Sequence, residues 1–185
     1  MSLKKIYTIL FSFLLIASST SFITTDKWVW SESKTLGYKI EFPQKPEESL
    51  QELDSDIGKL QLNLKTYEIT DVSPADENLM YLVNCTIFPE SIVNSAKTEK
   101  QEGFFRSTID GAVKNIGGKV IEEKKISIKG YPGKDVKIDF NEGNAIINMR
   151  LYLVNNKLFM LETITQTNKT PNKSITRFLD SFQLL

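Results

Sequence analysis

Residues 129–165, KGYPGKDVKIDFNEGNAIINMRLYLVNNKLFMLETIT, read as three strands joined by two tight turns. The turns fall at NEGN, residues 141–144, and at Asn155–Asn156, where asparagine tolerates the positive φ of a two-residue hairpin turn. Apolar residues occur on both faces of the last two strands. Ile147, Met149, Leu151 and Leu153 share one face, and Ile146, Tyr152 and Val154 share the other. The stretch therefore predicts the centre of an antiparallel sheet that is covered on both sides.

Several earlier stretches also have the alternating pattern of strands. The residues that share a face in two of them are Tyr38, Ile40 and Phe42, and Leu60, Leu62 and Leu64. The run 79–88 is apolar at most positions, which is typical of a strand inside a sheet, and residues 119–128 also predict a strand. Between the first two strands, Pro43 and Pro46 predict an end to regular structure.

Two segments have the period of helices instead. Apolar residues recur at steps of three and four between residues 98 and 117, and Gly117–Gly118 predicts the end of this helix. Near the end of the chain Thr170 predicts an N-cap, with Pro171 at the first helical position. The apolar stripe of this second helix is Ile175, Phe178, Leu179 and Phe182. These elements together predict an α+β layered sandwich, with a mostly antiparallel sheet of about seven or eight strands and two amphipathic helices.

The first 25 residues, MSLKKIYTILFSFLLIASSTSFITT, have the layout of a secretory signal peptide. Lys4 and Lys5 precede an apolar run of about 11 residues, which is well short of the roughly 20 that a membrane-spanning helix needs. Small residues follow this run, so we expect cleavage after Ser21, with Ser19 nearly as suitable and an uncleaved anchor as the alternative. Residues 1–21 are thus predicted to be a signal peptide and residues 22–185 one domain. This domain would be exported from a bacterial cell to the periplasm or medium, without a stable membrane span after cleavage.

Charge and cysteine content narrow the possible partners. Removing residues 1–21 takes away two lysines and no acids, which leaves 21 basic against 23 acidic residues and a net charge of −2. Nucleic-acid binding is therefore not expected, because it needs a strong positive field. The one cysteine, Cys85, lies in an apolar run and is expected to be a buried, inert thiol; an intermolecular disulfide or a reactive thiol is the alternative.

The sequence offers little catalytic chemistry. Histidine is absent, which removes Ser–His–Asp and Cys–His catalysis and histidine metal sites, and no phosphate-binding loop occurs. We therefore expect no enzyme, no cofactor and no metal. A hydrolase that uses two carboxylates is a minor alternative, because the sequence contains three carboxylate pairs. A structural role is expected for each pair. The pairs are Asp54 with Asp56, Asp76 with Glu77, and Glu122 with Glu123. The first pair lacks the further spaced ligands of a calcium loop.

Aromatic residues give a better case for binding. Trp28, Trp30 and Tyr38 lie close together in sequence and are candidates to line a groove for a peptide or a glycan, although core packing is the plainer interpretation. Tyr131 lies in the glycine–proline turn KGYPGK, residues 129–134, where it is a candidate for contact with a partner.

The order of elements resembles the PsbP-like fold family, which includes photosystem accessory proteins and many exported bacterial proteins. The resemblance spans most of residues 36–185. It is carried by GYKIEFPQKP, FFRSTIDGAVKNIGGKVIEEKKISI, GYPGKDVKIDF, MRLYLVNNKLFMLE and SITRFLDSFQLL. It implies an α+β sandwich, and the family's roles include assembly, stabilisation and protein binding. Our leading hypothesis is an exported, non-enzymatic domain that binds or helps assemble another envelope component. A carrier of an apolar small molecule is the alternative.

Overall fold

The computed structural model describes residues 28–55, 58–70 and 77–185. The predicted signal peptide, Asp56 and Asp76 lie outside these ranges. Within them the chain forms ten strands and two α-helices. The strands are β1 (Val29–Ser33), β2 (Tyr38–Phe42), β3 (Glu47–Ser55), β4 (Gly58–Glu68), β5 (Met80–Ile87), β6 (Lys119–Ile128), β7 (Tyr131–Phe140), β8 (Ala145–Val154), β9 (Lys157–Gln166) and β10 (Gln183–Leu184). The helices are α1 (Thr98–Ile116) and α2 (Lys173–Asp180), and a short 3₁₀ turn (Thr167–Lys169) precedes α2.

The strands form two antiparallel sheets. The large sheet has seven strands in the order β3-β4-β5-β9-β8-β7-β6, and the small sheet has three in the order β1-β2-β10. The small sheet and α2 pack on one face of the large sheet, around Tyr38, Phe159 and Phe178. Helix α1 packs on the opposite face, around Phe105 and Met149. We refer to these as the α2 face and the α1 face. The predicted α+β sandwich with two amphipathic helices is confirmed.

The predicted meander is β7, β8 and β9, with Asn155 at a φ of 54° in the last turn. Helix α1 ends where predicted, because Gly117 adopts a left-handed φ of 65°. Its stripe points at the sheet, with Phe105 and Ile109 buried. Among the described residues, no helix is long and apolar enough to span a membrane.

The structure differs from the local predictions at two places. Regular structure is interrupted at residues 43–46 as Pro43 and Pro46 predict, but an edge strand that was not predicted, β3, follows directly at Glu47. The second helix is capped by Asn172 rather than Thr170. The Asn172 side-chain oxygen accepts a hydrogen bond from the Ile175 amide at 2.9 Å, and its amide group donates to buried Asn78 at 3.0 Å. Asparagine is a better N-cap than threonine, and the contact with Asn78 further favours the later start.

Candidate functional site

The predicted binding aromatics do not line one groove. Trp28 packs edge-on against Tyr81 at 5.6 Å between ring centroids, and the Arg177 guanidinium lies 4.6 Å from the Trp28 ring. Trp30, which is 50% exposed, contacts solvent and has the Lys39 ammonium 4.9 Å from its ring centroid.

Tyr38 and Tyr131 lie elsewhere. Tyr38 is fully buried and packs against Phe159 at 5.5 Å between centroids, because it alternates with outward-facing Lys39 along β2. Its ring belongs to the core and does not share a surface groove with Trp28 and Trp30, but Tyr38 also lines the inner end of the cleft described next. Half-buried Tyr131 borders a separate open cavity of about 330 Å³ beside Leu36 and Lys157.

A larger cleft opens between the small sheet and the end of the large sheet. Its volume is about 430 Å³. One wall is the β1–β2 turn with Ser33, Thr35 and Leu36, and the other is formed by β3 and β4. Glu48 of β3 lies opposite Lys65 of β4, and Leu50 lies opposite Asn63, so all four residues point to the α2 face where the turn approaches. The register of the β3–β4 pair therefore determines which side chains line this cleft.

Lys65 joins the three strands around the cleft. Its side chain is only 7% exposed. The ammonium donates to Ser31 Oγ at 2.9 Å, to the Glu32 carbonyl at 3.1 Å and to Glu48 Oε1 at 2.9 Å. These three bonds use the full donor capacity of a lysine. Glu48, the counterion, is 67% exposed at the rim of the cleft. Lys65 is thus a buried, satisfied cation that presents no free donor to a ligand.

The Tyr38 hydroxyl, in contrast, is buried without a hydrogen-bond partner among the described residues. Tyr38 lines the cleft, and the Lys65 ammonium lies 5.9 Å from its ring centroid. Burial raises the pKa of this phenol above its usual value of about 10, so the hydroxyl keeps its proton. A buried polar group without a partner costs free energy, and at the edge of a cleft it is a candidate ligand contact.

Lys65, Glu48 and Asn63 were not predicted as site residues. Glu48 lies in β3, which was not predicted as a strand. In β4, Asn63 and Lys65 alternate with Leu62 and Leu64 and so belong to the polar face of the predicted strand. That face is buried by a hairpin whose Ser31 lies 34 residues earlier in the chain, and no local pattern shows such a contact.

The edge of the large sheet next to the cleft is formed by β3, and no described strand pairs with its outer side. All residues of β3 are exposed except half-buried Ser55, and Leu50 and Leu53 are 60% and 51% exposed on opposite faces. An edge strand directs every second backbone N–H and C=O away from its neighbour, and these groups can pair with another chain. The sequence EESLQELDS contains four acidic residues and no lysine or arginine. Strand β3 is therefore an exposed, acidic edge.

The carboxylate pair that the structure describes in full is divided between the two faces of the large sheet. Glu122 lies opposite Lys137 and bonds Lys137 and Lys124 on the α2 face, and these hydrogen bonds lower its pKa to about 2. Glu123 bonds buried Lys134 at 2.8 Å and Arg106 of α1 at 2.8 Å on the other face, and these bonds also lower its pKa. Two carboxylates that face opposite ways cannot act on one glycosidic bond.

Cys85 is a free, fully buried thiol, as predicted. Burial raises its pKa to about 12, so the thiolate that would react is not formed near neutral pH. Within the described ranges, no group of three or more histidine, cysteine or acidic side chains could hold a metal ion.

Glu162 of β9 is a half-buried carboxyl on the α1 face. It lies opposite Leu82 and Met149 in the neighbouring strands, and burial raises its pKa to about 7. A raised pKa is typical of a general acid, but these two cross-strand neighbours are apolar and supply no second catalytic group.

We predict that Glu162→Gln stabilises the protein at pH 8 by up to about 3.5 kcal/mol and by less than about 1 kcal/mol at pH 4.5. The native carboxyl titrates near pH 7 and the unfolded one near 4.3, so the native state binds more protons between these values. Wild-type stability should therefore fall as the pH rises through this window, and the neutral amide should remove that fall. Urea unfolding at both pH values measures the difference. Glu90→Gln, at an exposed loop position, is the control, and an equal pH dependence in wild type and Glu162→Gln would contradict the prediction.

Comparisons with known proteins give structural neighbours but no match by sequence. No protein-family model matches the sequence, and no curated protein matches it. The chain is similar in structure to cyanobacterial PsbP (CyanoP) from Synechocystis sp. PCC 6803. The TM-score is 0.45 with 10% identity over 92% of this chain and 99% of that one. It is also similar to PA94 from Pseudomonas aeruginosa, a protein of unknown function, with a TM-score of 0.41 and 8% identity over 66% of this chain and 86% of that one. At these TM-scores the similarity to PsbP, which agrees with the resemblance read from the sequence, carries no argument about function.

Proposed function

We propose that this protein is an exported, non-enzymatic domain that binds another component of the bacterial envelope. The observation that carries the proposal is the exposed edge strand β3, with Leu50 and Leu53 more than half exposed on its two faces. Long edge strands with exposed apolar residues are avoided in proteins that work alone, because they pair with other chains. Addition of a partner strand is a common way of binding extended peptides.

The charge of β3 favours a different protein over a second copy of this chain. Two β3 strands placed side by side would bring their acidic residues together, and like charges opposite each other destabilise a strand pair. These residues are Glu47, Glu48, Glu52 and Asp54. An extended segment that carries basic residues would instead be attracted.

Two observations support the non-enzymatic part of the proposal. The sequence has no histidine, and Glu122 and Glu123 each bond two cations on opposite faces of the sheet. The alternative of an apolar carrier has less support, since the cleft beside β3 is lined by Lys65, Glu48 and Asn63 as well as leucines. A turnover that a single carboxylate substitution abolishes would contradict the proposal.

We predict that a photo-crosslinking amino acid at Gln51, in the exposed middle of β3, forms a discrete adduct with one envelope protein in cells that naturally produce the chain. The matched control is the same amino acid at Ile121 on the opposite edge strand, which is 53% exposed. Leu50→Lys with Leu53→Lys should remove the adduct and leave the fold intact, because both side chains are largely exposed. Equal adducts at Gln51 and Ile121, or none at Gln51, would contradict binding at this edge.

A further inference from the structure

The cleft beside β3 offers a ligand free acceptor oxygens on Glu48 and Asn63, together with the Tyr38 hydroxyl, which can accept or donate. The three protons of the Lys65 ammonium are already bonded. Glu48 Oε2 and Asn63 Oδ1 accept no hydrogen bond from any other described residue, and the Tyr38 hydroxyl has no partner among them. A complementary ligand must therefore bring several donors.

The charge along the α2 face of β3 favours a partner segment with basic residues. This face carries Glu48, Glu52 and Asp54, and the basic residues opposite them are Lys59 and Lys65. Lys65 pairs with Glu48 in the cleft and Lys59 pairs with Glu52, so Asp54, further along β3 and outside the cleft lining, has no ion pair among the described residues. Leucines 36 and 50 add apolar walls, against which the methylene stem of a long basic side chain can pack.

The position of the cleft suits a side chain from a strand added to β3. Glu48 and Leu50 belong both to the edge strand and to the wall of the cleft. A strand paired with β3 would lie about 4.8 Å from it, within reach of an extended basic side chain. In this mode of binding, main-chain bonds supply affinity and pockets for alternate side chains supply specificity.

We infer that the cleft is a specificity pocket for an arginine side chain of the extended segment that pairs with β3. This inference rests on the proposed function. The guanidinium of arginine has five N–H donors, which can bond the acceptor oxygens of Glu48, Asn63 and Tyr38. The ring and hydroxyl of Tyr38 form the floor of the pocket.

The first test uses arginine capped at both ends, with capped citrulline, its neutral isostere, as the matched ligand. We expect capped arginine to bind with a millimolar dissociation constant and to shift the amide NMR signals of residues 35, 50 and 63. Capped citrulline should bind at least about tenfold more weakly. Equal binding of the two ligands, or no shifts with capped arginine, would overturn the inference.

Two variants separate a ligand contact from a structural role. Tyr38→Phe keeps the buried ring and removes the unpartnered hydroxyl, so we expect Tm to rise by roughly 2 °C while binding of capped arginine weakens several-fold. Glu48→Gln still accepts a bond from Lys65 but removes the charge, and it should weaken binding roughly tenfold. Unchanged binding in both variants would overturn the inference.

This test is independent of the crosslinking at Gln51. Capped arginine has no strand to add, so it reports on the cleft alone, and the crosslink reports on the edge alone. An adduct at Gln51 without arginine binding would leave β3 as a partner site and reject the arginine pocket. Arginine binding without an adduct would reject the proposed partner and leave the cleft as a small cation site.

Discussion

Replacing Gly133 by alanine should destabilise the protein by about 3 kcal/mol or more. Gly133 is buried in β7 and lies opposite Ile126 in β6 and Tyr152 in β8. A Cβ atom at this position would lie 2.4 Å from the Leu151 carbonyl oxygen and 2.7 Å from Tyr152 Cδ1. The carbonyl belongs to the backbone of β8 and cannot move without disturbing the sheet. The cost should therefore lie at the upper end of overpacking effects, and the shift of the urea midpoint measures it.

Gly103→Ala is the control, and we expect it to raise the stability that Gly133→Ala lowers. Gly103 lies exposed within α1, and a Cβ atom there would meet nothing within 4 Å beyond the adjacent residues and the helix's own backbone. Alanine is the better helix former, so Gly103→Ala should stabilise the protein by about 0.5–1 kcal/mol. If Gly133→Ala were as stable as wild type, β7 and β8 could not approach as closely as described.

The close approach at Gly133 was not predictable, whereas the meander around it was. The turns and alternating patterns of β7, β8 and β9 lie within residues 129–165, so local sequence contains the information that specifies them. The same holds for α1, whose stripe is continuous and whose end needs a left-handed residue at Gly117. The role of Gly133 depends on Leu151, 18 residues later, and a glycine in a strand has several interpretations.

Strand β3 could not be predicted for a different reason. Alternation of apolar and polar residues reports burial on one face, and β3 is exposed on both. Pro43 and Pro46 therefore predict the break after β2 but give no sign of the strand that follows it. The cleft was missed because its Lys65 lies on the polar side of β4 and is buried only by a distant hairpin. Surface strands and sites between distant segments depend on tertiary contacts that sequence patterns do not contain.

Phe178→Ala should lower the free energy of unfolding by about 3–5 kcal/mol. Phe178 of α2 is fully buried, with its ring 5.2 Å from that of Phe42 in the small sheet and 5.3 Å from that of Tyr81 in the large sheet. It therefore contacts both layers at once. A helix of eight residues is not stable alone, so α2 depends on this packing.

The loss of Phe178 should also loosen the small sheet. Helix α2 holds it by an ion pair between Arg177 and Glu41 at 2.8 Å and by a hydrogen bond from the Glu41 amide to Ser181 Oγ at 2.9 Å. Trp28 lies against Arg177, so its fluorescence should report this change before the far-UV circular dichroism does.

The control for Phe178→Ala is Trp30→Ala, which removes a larger ring from a half-exposed position and should cost less than about 1 kcal/mol. The comparison of the two variants tests whether an aromatic ring stabilises the sandwich because it is buried between the two sheets, and not merely because it is large and aromatic. Phe178→Leu should recover much of the lost stability, because leucine refills most of the cavity. Equal losses for Phe178→Ala and Trp30→Ala would mean that α2 does not join the two sheets, and the cleft between them would then lack a fixed wall.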